Sequence, residues 1–232
     1  MNPQSPKPII IVIEGIDGSG KQTQTSLLKK YLLTKNIPVT SQSFPNYSSD
    51  SSGPVKMYLG GQLSSSANEI KAYQSSVLFA VDRFCTIKLL FQQPFQENSI
   101  LIFDRYVSSN MLHQGGKIED TNELETFLNW LDDLEYNIMC LPRPDITIFL
   151  DMPPQASIAL AAQRKELKTG TKEDIHEKDS SHLIHAYNTG KYIANKYKWD
   201  IINCVNEKNE LRSEEEIHKD IINLIRNKVS FI

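Results

Sequence analysis

The chain has little of what marks the specialised protein classes. Its three cysteines, Cys85, Cys140 and Cys204, are scattered through 232 residues with no C-x-x-C pair. That excludes a disulfide framework and a cysteine-based zinc site, and it fits a reducing compartment. Neither sign of charge dominates: 25 Lys and Arg stand against 28 Asp and Glu, for a net −3. No global basic field is therefore available to recruit nucleic acid or an anionic membrane. Long apolar runs are missing too. The run Ile9-Ile10-Ile11-Val12-Ile13 meets Glu14 too soon for a signal peptide or a membrane span, so a cytoplasmic protein is expected. There is no internal repeat and no interdomain linker, and the serine-rich stretches at 48–52 and 64–66 read as loops. Hydrophobic content of 40% and charged content of 23% are ordinary for a globular chain with a sizeable core. A single domain over 1–232 is the expectation.

What is there begins at that apolar run. It breaks into Gly15-Ile16-Asp17-Gly18-Ser19-Gly20-Lys21-Gln22-Thr23, followed by a helix-like stretch. This is the layout of a phosphate-binding loop. Glycines let the backbone turn tightly, so that successive N–H groups converge on one anion. The helix that follows starts with unsatisfied N–H groups and a positive dipole end. Lys21 is placed to reach the terminal phosphates. The pattern G-x-x-x-x-G-K-[ST] is met except at its last position, where Gln22 stands in place of the hydroxyl that usually holds Mg²⁺; Thr23 comes one place later. Gly15, Gly18, Ser19, Gly20, Lys21, Gln22 and Thr23 are the expected ATP-binding residues.

Strands and helices alternate along the chain. Helical spacing of Leu27, Leu28, Tyr31 and Leu32 predicts a helix to about residue 35, and 39–44 reads as a short strand. Residues 67–93 read as one long helix stopped by Pro94. Apolar runs at 100–103 and 146–150 read as buried strands, 122–136 as amphipathic helix, and Pro153-Pro154 as the start of a helix to about residue 165. Helix 175–198, strand 199–205 and helix 213–227 follow, the last opened by a Ser213-x-x-Glu216 capping box. This order predicts an α/β fold: a central parallel β-sheet with helices on both faces, three layers in all.

Asp104-Arg105 falls at the carboxyl end of the 100–103 strand, the edge at which parallel sheets bind ligands. A carboxylate there suits Mg²⁺, held directly or through water; a plain strand-end salt bridge is the competing explanation. Asp151 ends the 146–150 strand and is a second candidate, ranked lower because Met152-Pro153-Pro154 looks like helix-entry chemistry. Phe79 and Arg83 lie four residues apart and share one helix face, where an aromatic ring and a guanidinium can stack on and bond a base, or simply belong to the core. Residues 163–172 form a basic, glycine-containing segment between two helices. By default it is a solvated helix end; beside a phosphate-binding loop it is favoured as a short lid, at about 164–173, that excludes water.

Taken together, these motifs resemble the thymidylate kinase family of P-loop nucleoside monophosphate kinases. Gly15 to Lys21 is similar to its P-loop, Phe44-Pro45 to the step after its second strand, and Leu78-Phe79-Ala80-Val81-Asp82-Arg83 to its L-F-x-A-x-R helix. Asp104-Arg105-Tyr106-Val107-Ser108-Ser109 resembles its D-R-Y-x-x-S signature, and Leu141-Pro142-Arg143-Pro144-Asp145 its L-P-x-P-D lead. The resemblance implies transfer of the γ-phosphoryl of Mg·ATP to dTMP, giving dTDP and ADP in dTTP synthesis. It implies that Phe79 stacks on thymine and Arg83 bonds its O4, and that Phe44, Ser109, Asn110 and Gln114 line the same site. It implies further that Arg105 holds the dTMP phosphate and that Asp17 meets the sugar 3′-hydroxyl or the metal. By the same resemblance Lys21, Arg105, Asp17 and a lid residue, Arg164 or Lys165, are expected to carry catalysis, and Asp17, Asp104 and Glu177 are the candidate metal ligands for Mg²⁺. A homodimer through the long helices is also implied. The chain departs from the family at Gln22, at Tyr47 where many relatives have Arg, at His113 where relatives have Tyr, and in a lid short of arginine. A deoxynucleoside kinase and a non-catalytic, nucleotide-regulated binding module are the rival expectations.

Overall fold

In the computed structural model, residues 6–63, 69–167 and 180–232 are described. Five strands form one sheet in the order β2-β3-β1-β4-β5: β1 Ile9–Glu14, β2 Val39–Ser43, β3 Ile100–Asp104, β4 Ile146–Asp151 and β5 Asp200–Asn203. All four pairings are parallel. The helices between them are α1 Lys21–Thr34, α2 Gly53–Leu59, α3 Ala72–Leu90, α4 Val107–His113, α5 Thr121–Asp132, α6 Pro154–Leu167, α7 Ser180–Lys196 and α8 Glu214–Lys228. None of the described helices is long and apolar enough to cross a membrane.

Side chains of β1 alternate between two cores, as the two-residue strand period requires. Ile11 and Ile13 pack with Leu28 and Leu32 of α1 and with Ile217, Ile221 and Ile225 of α8. Ile10 and Val12 pack on the other face with Phe103, Met111, Phe127, Leu128 and Leu131. Strands β3 and β4 are buried at every position. That explains their unbroken apolar runs, because a parallel sheet is covered on both faces. The α8 capping box forms as expected, with Ser213 Oγ accepting from Glu216 N and the Glu216 side chain accepting from Ser213 N.

Several elements differ from expectation. The long helix starts at Ala72 and ends at Leu90. The helix expected over 122–136 ends at Asp132 and continues as a π-helical turn, Asp133–Ile138. A short helix, α4, follows β3 where no helix was expected, because its Ser-Ser-Asn sequence carries weak helix propensity.

Register levels the functional edge. Asp104 pairs with Ile13 on one side and with Ser43 on the other, so β2 and β3 end at one height and β1 runs one residue further. The loop after β2 is tied to α3 by the buried Asp82, whose carboxylate accepts from Asn46 N (2.8 Å) and Ser51 Oγ (2.7 Å).

Candidate active site

Glycine geometry builds the first half of the site. Gly18 sits at φ +77°, and a β-carbon there would lie 2.5 Å from Ser157 Oγ. Gly15, at φ +152°, would place one 2.6 Å from Ser19 Oγ. Both positions exclude a side chain, which explains the spacing of glycines in the turn. Helix α1 then begins at Lys21, so the amides of Lys21, Gln22 and Thr23 have no partner within the helix.

A cleft of about 480 Å³ lies over those amides, lined by Gly18, Gly20, Lys21, Gln22, Thr23 and Asp104. Gly15 and Ser19 are beneath it: Gly15 N donates to Glu14 Oε1 (2.9 Å), and Ser19 N donates to Ile16 O (3.2 Å). Five of the seven expected ATP-binding residues thus face the cleft, and these two shape the turn under it. Lys21 is buried and its Nζ donates to Gly15 O (2.8 Å) and Ile16 O (2.7 Å). Burial, reinforced by the nearby Arg105 guanidinium, pushes the Lys21 amine down to about 8.

The second half is a cleft of about 230 Å³. Every residue expected to hold the acceptor nucleotide lines it: Asp17, Phe44, Phe79, Arg83, Arg105, Ser109, Asn110 and Gln114. Ser43, Tyr47 and Arg105 line both clefts, so the two hollows adjoin there.

Arg105 stands at that junction with a left-handed backbone, φ 68°, its N–H donating to Ile13 O (3.2 Å). A non-glycine residue in this region carries strain of roughly 1–3 kcal/mol, characteristic of functional positions. Its guanidinium pairs with the Asp17 carboxylate of the P-loop and donates from Nη1 to His113 Nε2 (3.1 Å). Because Arg only donates, His113 accepts at Nε2 and carries its proton on Nδ1. Burial would raise the Asp17 carboxyl, but the charges of Arg105 and Lys21 together hold it well below the usual carboxylate range. Burial likewise opposes the Arg105 charge, and Asp17, Glu14 and Asp104 more than offset it, raising its pKa.

Three carboxylates answer the question of which acid serves what. Asp104 is buried, lines the donor cleft, and leaves Oδ1 without a hydrogen-bond partner. Asp151, the rival, accepts from Tyr187 Oη (2.7 Å) and pairs with Lys191 (3.0 Å). Glu14, which sequence reasoning passed over, is fully buried and accepts from Gly15 N, Ser108 Oγ (2.7 Å) and Ser109 Oγ (2.8 Å). It therefore ties the P-loop to α4. The signal for it was an acid closing an otherwise apolar strand.

Arg83 faces the acceptor cleft, but its guanidinium is not free for a base alone. Nε and Nη2 donate to the buried Glu135 (2.5 and 2.7 Å), and Nη1 donates to Tyr106 O (3.1 Å). Of five N–H groups, two remain for the cleft. Glu135 sits in the π-helical turn, whose wider pitch breaks the helical period and hid it from pattern reading. Asn110 Nδ2 donates to Ser76 O (3.1 Å) and to Glu135 Oε1 (3.2 Å). Both acceptors lack hydrogens, so the amide is fixed and Asn110 offers the cleft its oxygen.

Helix α6 runs through Arg164 and Lys165, whose side chains, like most of the expected lid and Glu177, lie outside the described residues.

A β-strand, a glycine turn, a lysine opening a helix, and a second cleft sharing one arginine define a P-loop nucleotide kinase. The particular family follows from comparison: the sequence model of thymidylate kinase matches residues 13–217, and the chain belongs to the thymidylate kinase family. It is 28% identical to a probable thymidylate kinase of Pyrococcus horikoshii, over 94% of this chain and 96% of the relative. It is 26% identical to a thymidylate kinase of Chlorobaculum tepidum, again over 94% and 96%. The solved structure of Candida albicans thymidylate kinase superimposes with TM-score 0.69 at 18% identity, covering 97% of this chain and 94% of that one.

Proposed function

We propose that the protein transfers the γ-phosphoryl group of ATP to dTMP, giving ADP and dTDP. The observation that carries this is Arg105 lining both clefts, since phosphoryl transfer needs the donor and acceptor in line with positive charge between them. An oxygen of the acceptor phosphate attacks the γ-phosphorus, the bond to the β–γ bridging oxygen breaks, and ADP leaves. The P-loop amides and Lys21 hold the donor phosphates. Arg105 releases part of its hold on Asp17 to grip the acceptor phosphate, and Asp17 turns to the sugar.

The acceptor cleft also matches a pyrimidine imide. Phe79 gives an aromatic face, Asn110 an acceptor for an N–H, and the spare N–H groups of Arg83 donors for a carbonyl. A deoxynucleoside acceptor would need a carboxylate base. Asp17 is the one carboxylate among the described lining residues, and Arg105 occupies it.

The donor set fits Mg²⁺. Among the described residues no three His, Cys, Asp or Glu side chains gather as a metal cage, and Asp104 offers one unpartnered buried oxygen beside the phosphate cleft. Mg²⁺ characteristically takes one or two carboxylates plus substrate phosphates. Bound there, it would neutralise phosphate charge, with Asp104 holding it and Gln22 leaving that task to the strand end. Arg164 serves from the lid. The protein acts as a cytoplasmic homodimer: Val77 (39%), Val81 (40%) and Leu89 (57%) leave apolar surface exposed on α3, and its three cysteines are unpaired.

The test is a coupled ADP-release assay with Mg·ATP and a panel of nucleoside monophosphates alongside thymidine. Acceptor-dependent turnover highest with dTMP is expected. Turnover with thymidine but not dTMP would establish the nucleoside kinase instead, and ATP binding without turnover on any acceptor would establish a binding module.

A further inference from the structure

Lys117 was not singled out by sequence, yet it stands behind the acceptor cleft. Its Nζ donates to three neutral acceptors: Tyr58 Oη (2.8 Å), Ile70 O (3.0 Å) and Ser75 Oγ (3.2 Å). Ser75 is fully buried, and its Oγ lies 2.6 Å from Gln114 Oε1. Gln114 lines the cleft.

The direction of this chain is set by chemistry. A lysine N–H can only be given, so the Ser75 oxygen receives from Lys117 and has one proton of its own to pass on. Its possible acceptors are Lys71 O (3.0 Å), Ala72 O (3.3 Å) and Gln114 Oε1 (2.6 Å). The shortest separation falls within the O–H···O range and below that of N–H···O, so the Gln114 atom facing Ser75 is its oxygen. The Gln114 N–H₂ then faces the cleft. Burial pushes the Lys117 amine down to about 7, and the three acceptors around it match the three N–H groups of the charged form, the form in which Ser75 receives.

We propose that Lys117 is a positioning residue for base recognition: through Ser75 it holds the Gln114 amide with its N–H₂ toward the cleft, so that the site accepts a pyrimidine bearing a carbonyl at C4 and disfavours one bearing an amino group there. The inference rests on the reading of this cleft as the dTMP site. Asn110 and Gln114, which line the same cleft, then present one acceptor and one donor, the complement of N3–H and C4=O. Cytosine presents the reverse pattern. Ser75 Oγ keeps a second lone pair while it accepts from Lys117, so the hold on the amide is the ammonium charge, which favours the oxygen end of Gln114 on this side; without Lys117 a rotated amide can donate to Ser75 Oγ while Ser75 donates to Lys71 O, and the donor aimed at the cleft becomes an acceptor.

The experiment measures Kd for dTMP and for dCMP, and kcat/KM for both with Mg·ATP, in the wild type, Lys117→Gln, Lys117→Met and Ser75→Ala. The dTMP:dCMP preference is expected to fall about tenfold or more in the Lys117 variants and in Ser75→Ala, with the KM for ATP within about threefold of wild type. Lower thermal stability with an unchanged preference ratio overturns the proposal, because it shows that Lys117 only fills space. Should Lys117→Met fail to fold, Ser75→Ala and Lys117→Gln decide by the same ratio. Failure of the wild type to bind dTMP at all refutes the assignment of the cleft, a separate outcome visible before any variant is made.

Discussion

The Arg105 guanidinium, at the end of β3, pairs across the site with the Asp17 carboxylate of the P-loop. One ion pair thus spans the junction between the two clefts, and the proposed transfer remodels it. Arg105→Met is expected to lower kcat/KM for dTMP by about 10²–10³-fold, since it removes charge at the transferring group. Arg105→Lys should recover little of this, because a point charge replaces a bidentate fork. Steady-state ADP release checks both variants.

Lys21 gives donor binding a pH dependence. Its amine is pushed down to about 8 in the free protein, and bound phosphates favour the charged form. Binding therefore draws in a proton above that pH, and affinity falls as pH rises. Between about pH 7.5 and 9.5 the association constant for ATP should decline, approaching tenfold per unit at the upper end. Calorimetric titration in two buffers of different ionisation heat reads the proton uptake directly. Lys21→Ala should remove both the slope and the turnover.

Arg83 and Glu135 form a buried pair that stands or falls together. Glu135→Leu strands the guanidinium and is expected to destabilise the fold by about 3–5 kcal/mol. The double variant Arg83→Met, Glu135→Leu should regain most of that stability in urea unfolding. It should still bind dTMP poorly, because the Arg83 donors facing the cleft and one of the two anchors of Asn110 are gone.

Gly18→Ala puts a β-carbon against Ser157 on a backbone at φ +77°. The P-loop must shift, and ATP affinity is expected to drop at least about tenfold, with global stability lowered by about 1–2 kcal/mol. Adding Ser157→Ala relieves the contact but not the backbone strain, so only part of the affinity should return.

The sheet, the P-loop and the two cleft linings were legible because each rests on local pattern. Ile9–Ile13, Ile100–Phe103 and Ile146–Leu150 are apolar throughout because both sheet faces are covered, and the glycine spacing follows from backbone conformation. What stayed hidden depends on distant partners. Glu14, Glu135, Ser157 and Lys117 look unremarkable in the sequence, and they matter because folding brings them against Ser108, Arg83, Asp17 and Ser75. The hydrogen bonds from Arg83 to Glu135 stayed hidden for the same reason: spacing puts Arg83 and Phe79 on one face, but it says nothing of an acid 52 residues on.

The shared last rung of β2 and β3 with β1 carries a consequence for how the site is lost. Ile13, Asp104 and Ser43 are laddered together, so the floor beneath donor and acceptor is a single slab of backbone. Slow amide exchange along these rungs should therefore respond alike to either nucleotide, and neither hollow should melt ahead of the other.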